Sequence, residues 1–156
     1  MHFGFSYIGC LYLCMLFIPN IFWTRHKPVD YDKYASCENK LLLVLERIGE
    51  VSVCCFVLIF SDFNIHRLTV WSLWLAISFT ALVLYEIFWV KYFRSHKTMA
   101  DFYSSLLGTP VAGATLPVLA FLLLGIYGKN PLLIAATLIL GIGHIGIHLQ
   151  HKNNHT

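Results

Sequence analysis

The stretch ERIGE sets Glu46, Arg47 and Glu50 inside an otherwise apolar run. On a helix, Glu46 and Glu50 share a face at i, i+4, and Arg47 stands i, i+3 from Glu50, placed to pair with it. A third carboxylate, Glu86, lies in LYEIFWVKYF, and the stretch GIGHIGIHLQHKNNHT carries His144, His148, His151 and His155. Their steps of four, three and four put the four imidazoles within about 60° of one another on a helix. Carboxylates and imidazoles held away from water exchange protons near neutral pH and bind a cation or an amine-bearing solute. As ligand types, Glu50 and Glu86 with His144 and His148 also match carboxylate-bridged di-metal and open zinc sites, so a divalent metal ion is a candidate cofactor. A third use is structural: an Arg–Glu pair and His–Glu hydrogen bonds that fix helix packing.

What must position these groups is a set of membrane helices. The chain has 156 residues, 58% hydrophobic and 12% charged, with a mean hydropathy of +0.68. A soluble domain would carry roughly a quarter charged residues. Here the charges gather between apolar runs, each close to the roughly twenty residues that cross the hydrocarbon core. The runs are 3–23, 41–60, 68–90, 111–127 and 131–149. The expected fold is therefore an all-α integral membrane bundle of about five transmembrane helices, forming one domain over 1–156. The fourth run carries Gly113 and Pro117 within GTPVAGATLP, which points to a kinked or partly broken segment. Four spans plus a re-entrant piece is the alternative.

Lys and Arg set the expected orientation. One side has Arg25, Lys27, Lys33, Lys40, Lys91, Arg94, Lys97 and Lys152, and the other only Arg67 and Lys129. The N-terminus is expected outside and the C-terminus in the cytoplasm. Counting from the basic residue at each helix end at 1.5 Å per residue, Glu46 lies roughly 9 Å deep and Glu50 roughly 15 Å. On the same measure Glu86 lies roughly 7 Å deep, His148 roughly 6 Å and His144 roughly 12 Å. Asn20, just past Pro19 in the first run, reaches a similar level. One polar site in the cytoplasmic leaflet is the expectation, with Glu46, Arg47, Glu50, Glu86 and Asn20 binding a solute or ion. His144 and His148 join it, while His151 and His155, beyond the apolar run, are expected to continue the row into water.

Further patterns bear on the surroundings. Gly141, Gly143 and Gly146 flank the histidines and let a neighbouring helix approach closely. Thr98 and Asp101 read as a capping box opening a short cytoplasmic interfacial helix, with Met99, Phe102, Tyr103 and Leu106 as its apolar stripe. The same segment has the reach of a lid. Trp23, Trp71, Trp74, Trp89, Tyr92 and Phe93 near the span ends read as an aromatic belt. Cys10, Cys14, Cys37, Cys54 and Cys55 contain no C-x-x-C pair and are expected to be reduced, with the four in the helices as small packing residues.

Several classes are excluded. GIGHIG matches G-x-G-x-x-G but follows no strand, and neither a Walker motif, a G-x-S-x-G elbow nor H-E-x-x-H is present. H-x-x-x-H-x-x-H has the spacing of one histidine box of membrane di-iron desaturases and hydroxylases. Those enzymes carry several boxes, whereas His2, His26, His66 and His96 are scattered singly. The net charge of +3 reflects the cytoplasmic Lys and Arg rather than a nucleic-acid surface. The expected function is a small transporter or channel-like protein acting on a proton, cation or small solute. A membrane-embedded enzyme acting on a lipid or isoprenoid is the alternative, and an accessory subunit of a membrane complex the third. The lipid bilayer is the implied partner, and a homodimer would complete so thin a bundle.

Overall fold

The computed structural model describes residues 1–28, 31 and 39–155, with side chains through Lys152. It is all-helical, and no strand occurs among the described residues. The elements are α1 (Tyr7–Thr24), α2 (Lys40–Ile59), α3 (Leu73–Arg94), the single turn α4 (Met99–Phe102), α5 (Ala112–Tyr127) and α6 (Pro131–His155). Two one-turn 3-10 helices, Ser61–Phe63 and Val70–Ser72, join α2 to α3.

Local chemistry fixes most of the starts. Ser6 caps α1 by accepting from the Gly9 amide at 2.8 Å, and Asn39 caps α2 by accepting from Leu41 at 2.9 Å. Asn130 accepts from Leu133 at 3.0 Å, and Pro131 takes the first position of α6, where its missing N–H costs no helical bond. The start of α5 is different. A tight turn pairs Leu106 with Thr109, and Val111 then precedes the helix at φ +47°, a left-handed conformation that β-branched residues rarely adopt.

Three segments are long and apolar enough to cross a membrane: Tyr7–Thr24, Val70–Arg94 and Pro131–Lys152. The other two expected runs are also helical, but each falls short of that criterion. α2 has 20 residues and carries Glu46, Arg47 and Glu50 within its length, while α5 has 16. The outer faces of the helices are apolar all the same. Ile18, Ile21 and Phe22 of α1, Val44, Ile48 and Val51 of α2, and Leu138 and Ile142 of α6 all stand exposed, an arrangement that lipid rather than water would stabilise.

α2 packs chiefly on α6, α6 on α5, and α5 on α3, while α1 makes thinner contacts with both α2 and α3. These neighbours close a ring of five. Glycines set the tightest crossing. A Cβ on Gly143 would collide with the Glu46 backbone, and one on Gly49 with the Leu140 backbone. Apolar packing between α2 and α6 can therefore reach backbone contact.

The two ends of the ring differ. At one, Gly4 and Ser6 bond to the carbonyls of Ile59 and Leu58, Asn64 accepts from the Tyr7 amide at 2.9 Å, and the Trp71 indole donates to the Tyr127 carbonyl at 2.9 Å. At the other, the Tyr92 hydroxyl donates to the His26 carbonyl at 2.8 Å, and Trp23 stacks on Phe102 at 5.4 Å between ring centres. Arg25, Lys27, Lys40, Lys91, Arg94, Lys97 and Lys152 belong to this second, basic end.

Three expectations need correction. Trp89 and Tyr92 do not form part of an outer belt, for they are 4% and 1% exposed and pack into the core. The stripe after Thr98 forms a single helical turn. Its capping box is present, with the Thr98 hydroxyl accepting from the Asp101 amide at 3.1 Å and the Thr98 amide donating to Asp101 at 3.0 Å. Met99, Phe102 and Tyr103, however, are turned onto the bundle and buried, because aromatic rings of α1 and α3 offer them an apolar seat. Cys14 and Cys55 are exposed and Cys10 and Cys54 only partly buried, all four as free thiols, so none is a fully packed core residue. Cys37 and Lys33 lie outside the described residues.

Candidate functional site

Inside the ring lies a cavity of about 190 Å³ to which every one of the five long helices contributes. Its polar wall is made by Asn20 of α1, Glu50 of α2, and His144 and His148 of α6, with Tyr85 and Trp89 of α3 opposite. α5 supplies a smooth apolar side through Ala114, Pro117, Val118 and Phe121, and Phe102 of α4 lines the cavity from the basic end. Val111, held in its left-handed conformation and 1% exposed, also forms part of the lining.

Each polar group is held by its own helix geometry. The Asn20 side-chain N–H donates to the Leu16 carbonyl at 2.8 Å and to the Tyr85 hydroxyl at 2.9 Å. Its amide oxygen makes no hydrogen bond among the described residues and remains as an acceptor. Glu50 is fixed by Arg47, whose guanidinium donates to it at 2.8 Å, with the two side chains 43% and 68% exposed. Glu46 does not line the cavity. It lies behind His144, which donates from Nδ1 to the Glu46 carboxylate at 2.6 Å, with the carboxylate 14% exposed. That bond fixes the ring: with Nδ1 donating, Nε2 of a neutral imidazole is left as an acceptor.

The imidazole row runs on from there. The rings of His144 and His148 are 4.6 Å apart, and His148 lies 5.8 Å from both Phe102 and Tyr103. His151 follows at 6.3 Å from His148. The expectation that His151 continues into water is overturned, since it is 1% exposed and shares a hydrogen bond with the Tyr103 hydroxyl at 2.8 Å. The α4 turn covers that part of α6, which a reading of the tail as frayed overlooked. The side chain of His155 lies outside the described residues.

Of the residues expected to form one site, the structure thus gathers Asn20, Glu50, His144 and His148 around a single cavity. Glu46 and Arg47 brace two of them from outside. Glu86 is not brought in. It is half-buried on α3 beside the cavity-facing Tyr85, and its Oε1 is buried with no hydrogen-bond partner among the described residues. The metal reading fares less well than the polar site, because no group of three or more His, Cys, Asp or Glu side chains among the described residues is arranged to hold an ion.

Sequence reasoning missed Tyr85 and expected His151 in water, and it named Phe102 only as part of a segment with the reach of a lid. A signal existed for the first: Tyr85, Trp89 and Tyr92 recur at i, i+4 and i+7, the spacing of an inward helix face. For Phe102 and His151 no local pattern distinguishes a buried turn from an interfacial one.

No protein-family model, curated protein or solved structure matches the chain.

Proposed function

We propose that the chain is a small membrane transporter whose solute- or proton-binding site is the central cavity, with Glu50, His144, His148 and Asn20 as its polar groups. The supporting observation is that five helices contribute to one cavity whose lining holds a carboxylate and two imidazoles. Such groups take up and release protons without leaving the protein. In this reading all five long helices cross the bilayer, with the N-terminus outside and the basic end cytoplasmic. The row His144, His148 and His151, ending on Tyr103, leads from the cavity toward the cytoplasmic side, and α4 covers that end as a lid. Val111 and Pro117 make α5 the element suited to rearrange, since a strained residue and an internal proline both mark a site of backbone change.

The test is collapse of an imposed pH gradient in liposomes enclosing a pH-sensitive dye. Wild-type protein is expected to speed the collapse over empty liposomes, and Glu50→Gln to return it most of the way to that baseline. Equal rates for wild type and Glu50→Gln would remove the assignment. A second reading, a membrane-embedded enzyme acting on a lipid, draws on the apolar cavity wall made by α5. It predicts altered lipid masses after incubation with the protein, without any effect on the gradient.

A further inference from the structure

We infer that the solute of this cavity is an amphipathic amine, bound as its ammonium form and admitted sideways from the bilayer through the gap between α1 and α2; this rests on reading the cavity as the solute site. Near the end opposite the basic one, α1 and α2 touch so closely that a Cβ on Gly9 would collide with the Val57 carbonyl. Farther along toward the basic end, side chains of both helices reach the surface and the cavity alike. There Phe17 of α1, 43% exposed, and Glu50 of α2, also 43% exposed, belong to both the outer surface and the cavity lining. The same two side chains therefore form the inner wall and the outer face, which is what a mouth between two helices requires. The α2–α6, α6–α5 and α5–α3 sides are closed by packing, and the α1–α3 side, as thin as α1–α2, is bridged by hydrogen bonds of Tyr85 with Asn20 and Leu16 and of Tyr12 with Ser78.

The lining selects the ligand. No Lys or Arg among the described residues lines the cavity, so a phosphate or carboxylate headgroup would find no counter-charge from them inside. The nearest guanidinium, Arg47, points outward and is engaged by Glu50. The charged and titratable groups around the space are Glu50 with Arg47 on α2, Glu46 behind His144, and His144 and His148 on α6. Of these, the Glu50 carboxylate belongs to the lining and the Arg47 guanidinium does not, which leaves an excess of negative charge at the wall of the space. A cation is attracted to that excess, and an ammonium N–H also meets acceptors in the Asn20 amide oxygen and the His144 imidazole. Phe17, Tyr85, Trp89, Phe102 and Phe121 present aromatic rings to the cation and to an apolar body. At about 190 Å³ the space is smaller than the roughly 300–1,000 Å³ of drug-sized pockets, which suits a small amphiphile and excludes a whole phospholipid.

The probe is radiolabelled 4-phenylbutylamine, with full-length protein in phosphatidylcholine nanodiscs and empty nanodiscs as the reference. Saturable binding above the reference is expected. Unlabelled 4-phenylbutan-1-ol should compete at least about tenfold more weakly and 5-phenylpentanoate not at all, a comparison that needs no variant; each 1.4 kcal/mol lost is a factor of about ten. Glu50→Gln is expected to weaken the amine about tenfold on the same scale, at an unchanged melting temperature. Phe17→Trp should slow association, and Met99→Ala, which loosens the α4 turn without altering the cavity lining, should leave it unchanged. Binding no greater than in empty discs, an acid that competes as well as the amine, or full affinity in a folded Glu50→Gln protein would each overturn the ligand class. Faster association in Met99→Ala with none of the slowing in Phe17→Trp would overturn the sideways route. Glu50-dependent gradient collapse without amine binding defeats this inference alone, whereas amine binding without gradient collapse defeats the transporter reading and keeps the ligand class.

Discussion

Glu46 and His144 form a 2.6 Å polar contact within the helix bundle, and the contact joins positions 98 residues apart in the chain. Because the carboxylate is largely buried, removing it leaves an imidazole N–H without an acceptor. Glu46→Ala is expected to lower the unfolding free energy by about 1–3 kcal/mol, measured by denaturant titration in micelles. Glu46→Gln keeps an amide oxygen in place to accept from Nδ1 and should retain most of that stability; an equal loss in both variants would show that negative charge, not acceptance, is what matters. Asp101 offers a pH test outside the spans. The Thr98 backbone N–H, then its hydroxyl, hold the Asp101 carboxyl below the usual carboxylate range, and slight burial opposes them only weakly. A depressed folded value stabilises fully above the unfolded pKa of about 3.9 and is lost as pH falls through the folded one. Wild type should therefore lose melting temperature below about pH 4 relative to Asp101→Ala, and parallel curves for the two proteins would contradict the argument. At this scale the sequence was informative where spacing decides: i, i+3 placed Arg47 on Glu50, and i, i+4 placed His148 beside His144. It was silent on which side of a helix a neighbour would cover, so Glu86 was expected inside the site and His151 outside it.

Between elements, the α2–α6 crossing governs the site, because it presses Glu46 against His144. Gly143→Val must push the two helices apart, since the added atoms meet the Glu46 backbone rather than a flexible side chain. We expect a loss of about 1–3 kcal/mol by the same titration, together with loss of the pH-gradient activity. A variant as stable and active as wild type would show that the crossing is looser than described. The helices themselves were legible, for α2, α5 and α6 begin within a residue of the apolar runs, and Asn39, Asn130 and Pro131 are recognisable start signals. The fate of the segment after Thr98 was not. An apolar stripe of that length suits either a membrane surface or a seat on the bundle, and only Trp23, Tyr92 and His148, brought together from three helices, decide for the seat.

For the molecule as a whole, depth along each helix could be counted from the basic residues, but convergence could not, because the order of helices around the ring is a property of distant contacts. That order has α2 packed chiefly on α6 and only thinly on α1. Its consequence reaches into biosynthesis. For a chain threaded into a bilayer as it leaves the ribosome, α2 emerges with its charges about a hundred residues ahead of His144. At about 5–20 residues per second, that is on the order of 5–20 s during which Glu46 has no imidazole to meet. Over that interval α2 must wait at the aqueous edge or in the care of the insertion machinery, until α6 is made and completes its seating.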